Sequence, residues 1–528
     1  MKKVVYIIVC IFMLSGCSNF LEEYSQDKAY IRGYEDLDEL LLGNAYFLRY
    51  KADNSWQYSG ASGELYYPWI HVMADELSQQ TGGRNNWSVR GAGGTIYGYH
   101  TWQYRVYEDV EGKRVWDDGA DFRHLYSHIN ACNMILEEAK AFENMKEEKD
   151  VQNVNRIKGE CYFLRGSYYF LLTNFYGKPY AAETAERDPA VPIKISNYVE
   201  DKYYNRNTVA EVYKQVVSDL LTAEKYLINI PKKSVWRADI NAVRLMLSRV
   251  YLYMCSYEEA KRYAALVIEN GPQLEDLNVF LGEEFLNANL SELIFSTGAS
   301  SLPGNLTFYP SDDSELGVVS GNDMRISDVL YEAYNPQNPV DLRLKHFVVD
   351  YEGVLYYKKL RGEVYEATDV SDVFLMRIAE AWLNLAEAAA CIGDDVMAQN
   401  ALNTLREKRL QREAFDKSEV NRLTGESLVF FIRKERQREL CLEGHRWFDL
   451  RRYQVAKKYP QDISVEHIFV YKEYNPSISE YETLWARKFV LSPGDPAWVL
   501  PLPKVEIDKN TGMIDNPRNE RMFENVNY

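Results

Sequence analysis

Two pairs of neighbouring acidic residues are the first feature of this sequence that could carry out chemistry. Asp75-Glu76 and Asp117-Asp118 lie in segments without helical periodicity. A glycoside hydrolase needs two carboxylates about 5 to about 9.5 Å apart in a cleft. With 78 acidic residues in the chain, many pairs could meet that distance. Adjacent carboxylates in loops more often face water or bind a cation, so we predict that the protein is not an enzyme and keep a surface hydrolase as the least favoured alternative.

Three glutamates at four-residue spacing form a second candidate centre. Glu435, Glu439 and Glu443 would share one face of a helix, with Arg436 and Arg438 nearby. Buried arginine–carboxylate networks also hold packed helices together. We therefore predict that these glutamates stabilise the fold and do not catalyse a reaction.

The histidine and glycine patterns do not favour a metal or phosphate site. His124 and His128 stand four residues apart on one predicted helix, which could ligate zinc, but the HExxH arrangement is missing. The Gly91–Gly94 segment has no lysine after it and no clear strand-to-helix context. We predict no metal and no cofactor, and we expect the two histidines to be packed or half exposed.

Aromatic rings between residues 54 and 116 give a better functional signal. They are Trp56, Trp69, Trp87, Trp102 and Trp116 with Tyr58, Tyr66, Tyr67, Tyr97, Tyr99, Tyr104 and Tyr107. A sugar ring can stack its apolar CH face on an aromatic plane, while its hydroxyls need polar partners. Asp75 and Arg84 could supply charge-assisted hydrogen bonds, and Asn85 and Asn86 neutral ones. Such residues could contact a ligand with apolar faces and hydroxyls; the alternative is that the rings pack the insertion onto the helices.

The first seventeen residues have the pattern of a lipoprotein signal. Lys2 and Lys3 precede the apolar run Val4–Leu14, whose eleven residues are too few to span a bilayer as a helix. Leu14–Cys17 resembles a lipobox, the site at which lipoproteins are cleaved and acylated. We predict a signal peptide over residues 1–16 and lipidation of Cys17, which would tether the mature chain outside the cytoplasm.

Composition limits the partners of the remaining chain. The 528 residues contain 61 Lys and Arg against 78 Asp and Glu, a net charge of −17. Nucleic-acid binding is not predicted, because it requires basic clusters that neutralise phosphates. Five cysteines outside the signal and anchor show no metal-ligand spacing and are predicted to be buried small hydrophobes. They are Cys132, Cys161, Cys255, Cys391 and Cys441.

Helical periodicity accounts for much of the chain. Apolar residues at i, i+3 and i+4 predict helices over Leu125–Lys140, Asn155–Tyr176, Val209–Leu227 and Leu428–Leu442. Thr208, with Glu211 three residues later, fits a capping box at the start of the third helix.

Two segments fall into the register of the 34-residue tetratricopeptide unit. The first has Leu247, Ser248, Tyr251, Ala260, Ala264, Val267 and Pro272 at the expected positions, and the second has Trp382, Leu385, Ala386, Ala398, Leu402 and Leu405. Irregular segments at 54–115 and 303–357 interrupt the helices, with short strands expected around Val348–Tyr357. The predicted fold is mostly α: a tetratricopeptide-like scaffold of helical pairs with long inserted loops and a few short strands.

Six motifs in the same order resemble those of the SusD/RagB family of outer-membrane nutrient-binding lipoproteins. They are Asn19–Glu22, Tyr126–Asn133, Gly159–Phe170 with Tyr176-Gly177, Asp372–Glu380, Glu435–Arg452 and Leu500–Ile507, the last similar to the family's closing strand. The resemblance implies a single SusD-like domain over 17–528, with four helical pairs. Its N-terminal part, to about residue 300, would carry the insertion 54–116, and its C-terminal part would span 301–528.

The resemblance also implies a function. Family members lie as a lid over a SusC-like TonB-dependent transporter and capture glycans, or in some members peptides, at the cell surface before import. The expectation is therefore a lipid-anchored, surface-exposed outer-membrane protein that binds oligosaccharides or polysaccharides and delivers them to such a transporter. A RagB-like peptide-binding protein is the alternative.

The same resemblance locates the ligand platform. In relatives the platform lies partly in the N-terminal insertion, downstream of an acidic motif similar to Met73–Glu76. Trp87 and Trp102 follow this motif and rank above Trp116 as stacking residues. A second loop, 304–309, would contribute from the opposite side. The predicted glycan-binding residues are Asp75, Arg84, Trp87, Trp102 and Tyr309.

Overall fold

Helices make up most of the regular structure. The computed structural model describes residues 31–47, 67, 69–80, 92–115, 117, 119–198, 200–298, 324–337, 339–351, 353–360 and 370–527. Within these residues lie fifteen α-helices: α1 (Tyr34–Leu40), α2 (Ala92–His100), α3 (Ala120–Glu138), α4 (Glu148–Tyr176), α5 (Val209–Leu227), α6 (Ile240–Tyr253), α7 (Tyr257–Asn270), α8 (Asp328–Ala333), α9 (Leu342–Phe347), α10 (Ile378–Ile392), α11 (Asp395–Glu407), α12 (Ser418–Asn421), α13 (Gly425–Glu439), α14 (Arg446–Gln454) and α15 (Lys504–Lys509).

Local sequence sets several helix ends. The capping box predicted at Thr208 is present, since its side chain accepts a hydrogen bond from the Glu211 amide and the Glu211 carboxylate accepts one from the Thr208 amide. Gly393 ends α10 with a φ of 88°, a left-handed conformation that glycine adopts without strain. The four predicted helices all exist. Helix α4 begins at Glu148, before the predicted start, because its first turns are polar and solvent-facing and carry no apolar period.

The long helices pack on one another in chain order. Helix α4 packs against α5, α6 against α7, and α10 against both α7 and α11. Small residues permit these close approaches: a Cβ added at Gly159 of α4 would lie 2.6 Å from Leu227 Cγ on α5. The Ser248 hydroxyl of α6 donates a hydrogen bond of 3.0 Å to the Ala260 carbonyl of α7. The predicted scaffold of tetratricopeptide-like helical pairs is thus confirmed.

Nine short to medium strands lie within the described residues: β1 (Leu77–Gln79), β2 (Leu293–Ser296), β3 (Met324–Ile326), β4 (Val348–Tyr351), β5 (Val354–Tyr357), β6 (Leu375–Arg377), β7 (Val465–Asn475), β8 (Glu480–Leu491) and β9 (Glu524–Asn525). All pairings are antiparallel: β1 with β3, β2 with β6, β4 with β5, and β7–β8–β9. The short strands expected around Val348–Tyr357 are present as β4 and β5. The predicted closing strand over Leu500–Ile507 is wrong, because Lys504–Lys509 forms helix α15 immediately after Pro503.

A network of charged side chains lies buried where the C-terminal helices meet the strands. We call it the core charge network; its members are Glu292, Asp341, Arg343, Lys359, Arg377, Arg406, Arg409, Glu435, Glu439 and Glu443. The structural role predicted for the three glutamates is confirmed. Helix α13 ends at Glu439, so Glu443 enters the network from the turn that follows.

Cysteines and histidines take the roles expected of packing residues. Among the five cysteines, Cys255 alone is half-buried and the other four are buried. His128 is buried, and its Nδ1 lies 2.7 Å from the Asn44 carbonyl. The described residues contain no cluster of histidine, cysteine and acidic side chains able to hold a metal ion. None of the helices in the described part of the chain is long and apolar enough to span a membrane.

Candidate functional site

The turn around Asp75 connects the predicted ligand region to the C-terminal helices. A 3₁₀ turn at Ile70–Met73 precedes it, and β1 follows. Both carboxylate oxygens of Asp75 accept hydrogen bonds of 2.7 Å from the guanidinium of Arg446, the first residue of α14. The Ser327 hydroxyl donates a 2.5 Å hydrogen bond to the Asp75 carbonyl. Asp75 therefore fixes the start of β1 against two other elements.

The neighbouring Glu76 lies inside the core. Its side chain is 1% exposed, and one carboxyl oxygen accepts a 3.2 Å hydrogen bond from the Leu442 amide. Burial raises the pKa of Glu76 to about 8, so it is protonated at neutral pH. Since Asp75 is ion-paired with Arg446, the two acids do not present a pair of free carboxylates in a cleft. This geometry gives no support to the hydrolase alternative at this motif.

The register of β1 and β3 places the start of segment 81–91 beside the end of segment 299–323. In the β1–β3 pair Leu77 is opposite Ile326, and Gln79 is opposite Met324. The chain therefore enters segment 81–91 and returns from segment 299–323 at the same end of this small sheet. Arg84 and Trp87 belong to the first segment and Tyr309 to the second, and all three lie outside the described residues.

The long β7–β8 hairpin borders the same end of the sheet. The Gln79 side-chain amide donates to the Val470 carbonyl at 3.1 Å, and its oxygen accepts from the Val470 amide at 2.6 Å. Gln79 thus occupies the backbone hydrogen-bonding groups of β7 as a strand partner would. The hairpin is positioned beside the point where segment 81–91 begins.

Aromatic residues cover this part of the hairpin, and we call them the hairpin cluster: Tyr97, Phe469, Tyr471 and Trp485. The Trp485 ring is half-buried, lying 5.3 Å from the Tyr471 ring and 6.5 Å from the Tyr97 ring. The Arg487 guanidinium lies 4.2 Å from the Trp485 ring centroid, a cation–π contact. We call the place where the ends of β1 and β3 meet the hairpin cluster the rim. The half-buried Trp485 ring lies there, beside polar groups.

Carboxylates accompany the hairpin cluster. The Tyr471 hydroxyl donates a 2.8 Å hydrogen bond to Glu473 and lies 3.4 Å from a carboxylate oxygen of Glu111. Burial, followed by these two acids, raises the pKa of Tyr471 to about 12. The two acids therefore lie beside the cluster, where carboxylate oxygens can accept hydrogen bonds from hydroxyl groups.

Sequence reasoning did not find the hairpin cluster. Val465–Asn475 and Glu480–Leu491 are rich in β-branched and aromatic residues, and the segment Pro476–Ser479 separates them. That pattern is a hairpin signal. The hairpin signal in Val465–Leu491 is therefore the one from which this cluster could have been predicted.

Trp102 has a different role from the one predicted. The ring is 1% exposed, its indole N–H donates a 3.0 Å hydrogen bond to the Met73 carbonyl, and it stacks on His467 at 4.5 Å. The Arg518 guanidinium donates to the Trp102 carbonyl at 3.0 Å. Trp102 is thus a core residue beneath the rim, and in this structure it offers no ring face to a sugar. Trp116 lies outside the described residues.

Breaking the Asp75–Arg446 pair should destabilise the protein. The side chains are 13% and 12% exposed, so Asp75→Asn leaves a largely desolvated guanidinium with half of its acceptors. We expect the free energy of unfolding to fall by about 2 kcal/mol, within the range for broken buried pairs after allowance for partial exposure. Asp328→Asn is the matched control: its carboxylate is 78% exposed and pairs with Arg325, and its loss should cost less than about 1 kcal/mol. Urea unfolding of the two variants measures both values, and equal costs would contradict the assignment.

Comparison with known families identifies the fold. A model described as "SusD family" matches residues 321–518, and a model described as "Starch-binding associating with outer membrane" matches residues 70–252. The chain belongs to the SusD/RagB family. The second match contains the Asp75 turn, and the first contains Arg446 and the β7–β8 hairpin. Both halves of the candidate site therefore lie within family regions.

Solved structures agree with this SusD/RagB fold. A SusD superfamily protein from Bacteroides thetaiotaomicron VPI-5482 has a TM-score of 0.65 and 22% identity, covering 92% of this chain and 100% of the other. A SusD-like carbohydrate binding protein from Bacteroides vulgatus ATCC 8482 gives 0.62 and 18%, with 91% and 97% coverage. Surface glycan-binding protein A from Bacteroides fluxus gives 0.56 and 18%, with 92% and 97% coverage. No match was found among curated protein sequences.

Proposed function

We propose that this SusD/RagB protein captures glycans at the cell surface and delivers them to a SusC-like TonB-dependent transporter. The observation that carries the proposal is the rim at which the ends of β1 and β3 meet the hairpin cluster. A half-buried Trp485 ring beside a guanidinium, with carboxylates on the neighbouring Tyr471, is suited to a ligand with apolar faces and many hydroxyls. Two structural relatives with carbohydrate binding or glycan binding in their names support the same ligand class.

The location and partner follow from the same proposal. Lipidation of Cys17 after removal of residues 1–16 would hold the protein on the outer membrane, in agreement with the description of the family model that matches residues 70–252. A transporter partner would take up the captured glycan. Binding should be micromolar or weaker, because release is part of delivery.

The platform that we propose differs in part from the predicted one. Trp87, Arg84 and Tyr309 remain its candidate ligand-contacting residues, and Trp485 is added from the hairpin cluster. Asp75 and Trp102 are better assigned as supports beneath the rim, since one is ion-paired with Arg446 and the other is buried.

Affinity electrophoresis against a panel of polysaccharides tests the proposal, using the chain that begins after Cys17. We expect one polysaccharide to retard the wild type and Trp485→Ala to weaken that retardation about tenfold, since an aromatic contact surface contributes roughly 1.5–3 kcal/mol when it is buried. Trp87→Ala should weaken it at least as much. Trp382→Ala is the matched control, because Trp382 is a half-buried tryptophan on α10, outside the rim.

Three outcomes separate the alternatives. Retardation lost in Trp485→Ala but kept in Trp382→Ala supports glycan capture at the rim. An absence of retardation by every polysaccharide, with binding to peptide pools instead, would favour the peptide-binding alternative. New reducing ends after incubation with the retarding polysaccharide would overturn the assignment as a non-enzymatic binder.

A further inference from the structure

Both ring nitrogens of His467 lie against carbonyl oxygens. His467 is on β7 and is 4% exposed. Its Nδ1 lies 2.6 Å from the His100 carbonyl oxygen, and its Nε2 lies 2.9 Å from the Ala74 carbonyl oxygen. A carbonyl oxygen only accepts hydrogen bonds, so each contact is a hydrogen bond only when the nitrogen carries a hydrogen.

The charge state of His467 therefore decides how many of these bonds exist. A neutral imidazole has one N–H and can donate to either the Ala74 or the His100 carbonyl, whereas the imidazolium donates to both. Among the hydrogen bonds of the described residues, neither carbonyl has another donor. With neutral His467, one buried carbonyl consequently faces a nitrogen lone pair, an arrangement that costs free energy.

The two carbonyls flank residues 75–99, which we call the excursion. Ala74 ends the 3₁₀ turn immediately before Asp75 and β1, and His100 is the last residue of α2. Between them the chain runs through β1, segment 81–91 and α2, so the two carbonyls mark the ends of this excursion. His467, fixed in the β7–β8 ladder opposite Phe489, is the shared anchor of the two ends.

Two titrating groups lie at or beside the anchor, His467 and Glu76, and burial raises the pKa of Glu76 to about 8. His467 stacks on His100 at 3.9 Å and on Trp102 at 4.5 Å. His100 donates from Nδ1 to the Val72 carbonyl at 2.8 Å, and burial, followed by the proximity of His467, holds the pKa of His100 well below its ordinary value. His100 is therefore neutral. The other charged groups facing this anchor are Asp75 with its partner Arg446, and Arg518 and Arg521 beside Trp102.

We propose that His467 is the positioning residue that holds the two ends of this excursion together, and that it holds both ends only in its doubly protonated form.

The sign of the pH dependence follows from what changes when an end detaches. Burial lowers the pKa of His467, while the His100 and Ala74 carbonyls and the Asp75 carboxylate oppose that effect. Detachment removes a carbonyl but leaves the ring buried against Trp102, so the pKa is higher in the anchored state than in the detached state. The added stabilisation is thus present at low pH and is lost as the pH rises through the anchored pKa, below the ordinary histidine value of about 6.5.

Hydrogen–deuterium exchange of the wild-type chain tests this without a ligand, so the result does not depend on the proposed glycan binding. Protection factors, corrected for the intrinsic pH dependence of exchange, are compared between pH 7.5 and pH 5 for peptides covering 70–80 and 92–100, which leave out Trp102. We expect protection in both peptides to rise about tenfold at pH 5, the effect of one charge-assisted hydrogen bond, while peptides of α6 and α7 stay constant. Constant or falling protection in the wild type would overturn the proposal.

Variants separate anchoring from packing. His467→Phe retains a ring for stacking but no donor, so protection should be low and should change less with pH than in the wild type, because only the response of Glu76 remains. His467→Gln can restore a donor to one carbonyl, and we expect intermediate protection with the same reduced pH response. His128→Phe is the matched control: burial lowers the pKa of His128 to about 4, below the tested range, so the wild-type pH response should persist. A pH response in His467→Phe as large as that of the wild type would also overturn the proposal.

Discussion

Glu439→Gln should reduce the free energy of unfolding by about 3–5 kcal/mol, the cost of breaking a buried ion pair by removing one partner. One oxygen of Glu439 accepts hydrogen bonds from Arg377 at 2.7 Å and Arg409 at 3.0 Å. The other accepts from Arg343 at 3.0 Å and Arg409 at 2.9 Å. Glutamine has one acceptor oxygen, so in either orientation its NH₂ group faces N–H donors. All four side chains are at most 1% exposed, and water cannot compensate.

Chemical denaturation of the variant beside Glu258→Gln measures this effect. Glu258 pairs with Lys261 on the surface of α7 and its side chain is 70% exposed, so its substitution should change stability by less than about 1 kcal/mol. A similar small loss for Glu439→Gln would show that the core charge network contributes little beyond the packing of its side chains.

The pH dependence of the free energy of unfolding, compared between the wild type and Glu439→Gln, is a second test of these ion pairs. Burial opposes ionisation of Glu439, but the surrounding arginines hold its pKa well below the ordinary value. A depressed carboxylate pKa contributes stability that is present above the unfolded pKa of about 4.5 and is lost as the pH falls below it. The wild type should therefore lose more stability than the variant between pH 5 and pH 3, and a parallel loss would contradict the assignment.

Gly98→Ala should destabilise the protein by about 3 kcal/mol, although alanine is favoured over glycine inside a helix. Gly98 lies in α2, and a Cβ there would be 2.3 Å from the Val106 carbonyl oxygen and 2.6 Å from its carbon. These are backbone atoms, so no side chain can move aside. Either α2 or the segment after Trp102 must shift, and with it Tyr97 of the hairpin cluster.

Thermal unfolding and near-ultraviolet circular dichroism would report the change in stability and in aromatic packing. Gly43→Ala is the control, because its Cβ would meet no atom within 4 Å. We expect that control to alter stability by less than about 0.5 kcal/mol. A neutral Gly98→Ala would mean that the contact between α2 and Val106 relaxes at little cost.

The sequence predicted the scaffold well because its signals are local. The capping box at Thr208 and the turn at Gly393 each depend on residues within one or two helical turns. The role of Glu439 was also predictable, since carboxylates interleaved with arginines on an apolar helix need buried partners. Those partners, such as Arg343, come from other parts of the chain and could not be named from spacing.

The candidate site was less predictable because burial there is a tertiary property. Trp102 was predicted to stack on a sugar and Trp69 lies in the same aromatic insertion, yet both rings are buried. The sequence predicts Asp75 as a loop carboxylate, and its ion pair with Arg446, 371 positions later, cannot be inferred from spacing. Trp485 lies on β8, far in sequence from the aromatic insertion at 54–116, and only the folded chain brings it near Tyr97.

The contacts that complete the region around Trp102 have a consequence for biosynthesis. The Ala74 carbonyl contacts His467, 393 positions later, and the Trp102 carbonyl accepts from Arg518, 416 positions later. A ribosome makes the chain from its N-terminus, so this region cannot acquire its native partners until almost the last residue has been added. Contacts this distant in sequence form slowly and leave apolar surface open to aggregation meanwhile. The helical pairs can fold early, and the region around Trp102 is the last part of the molecule to be completed.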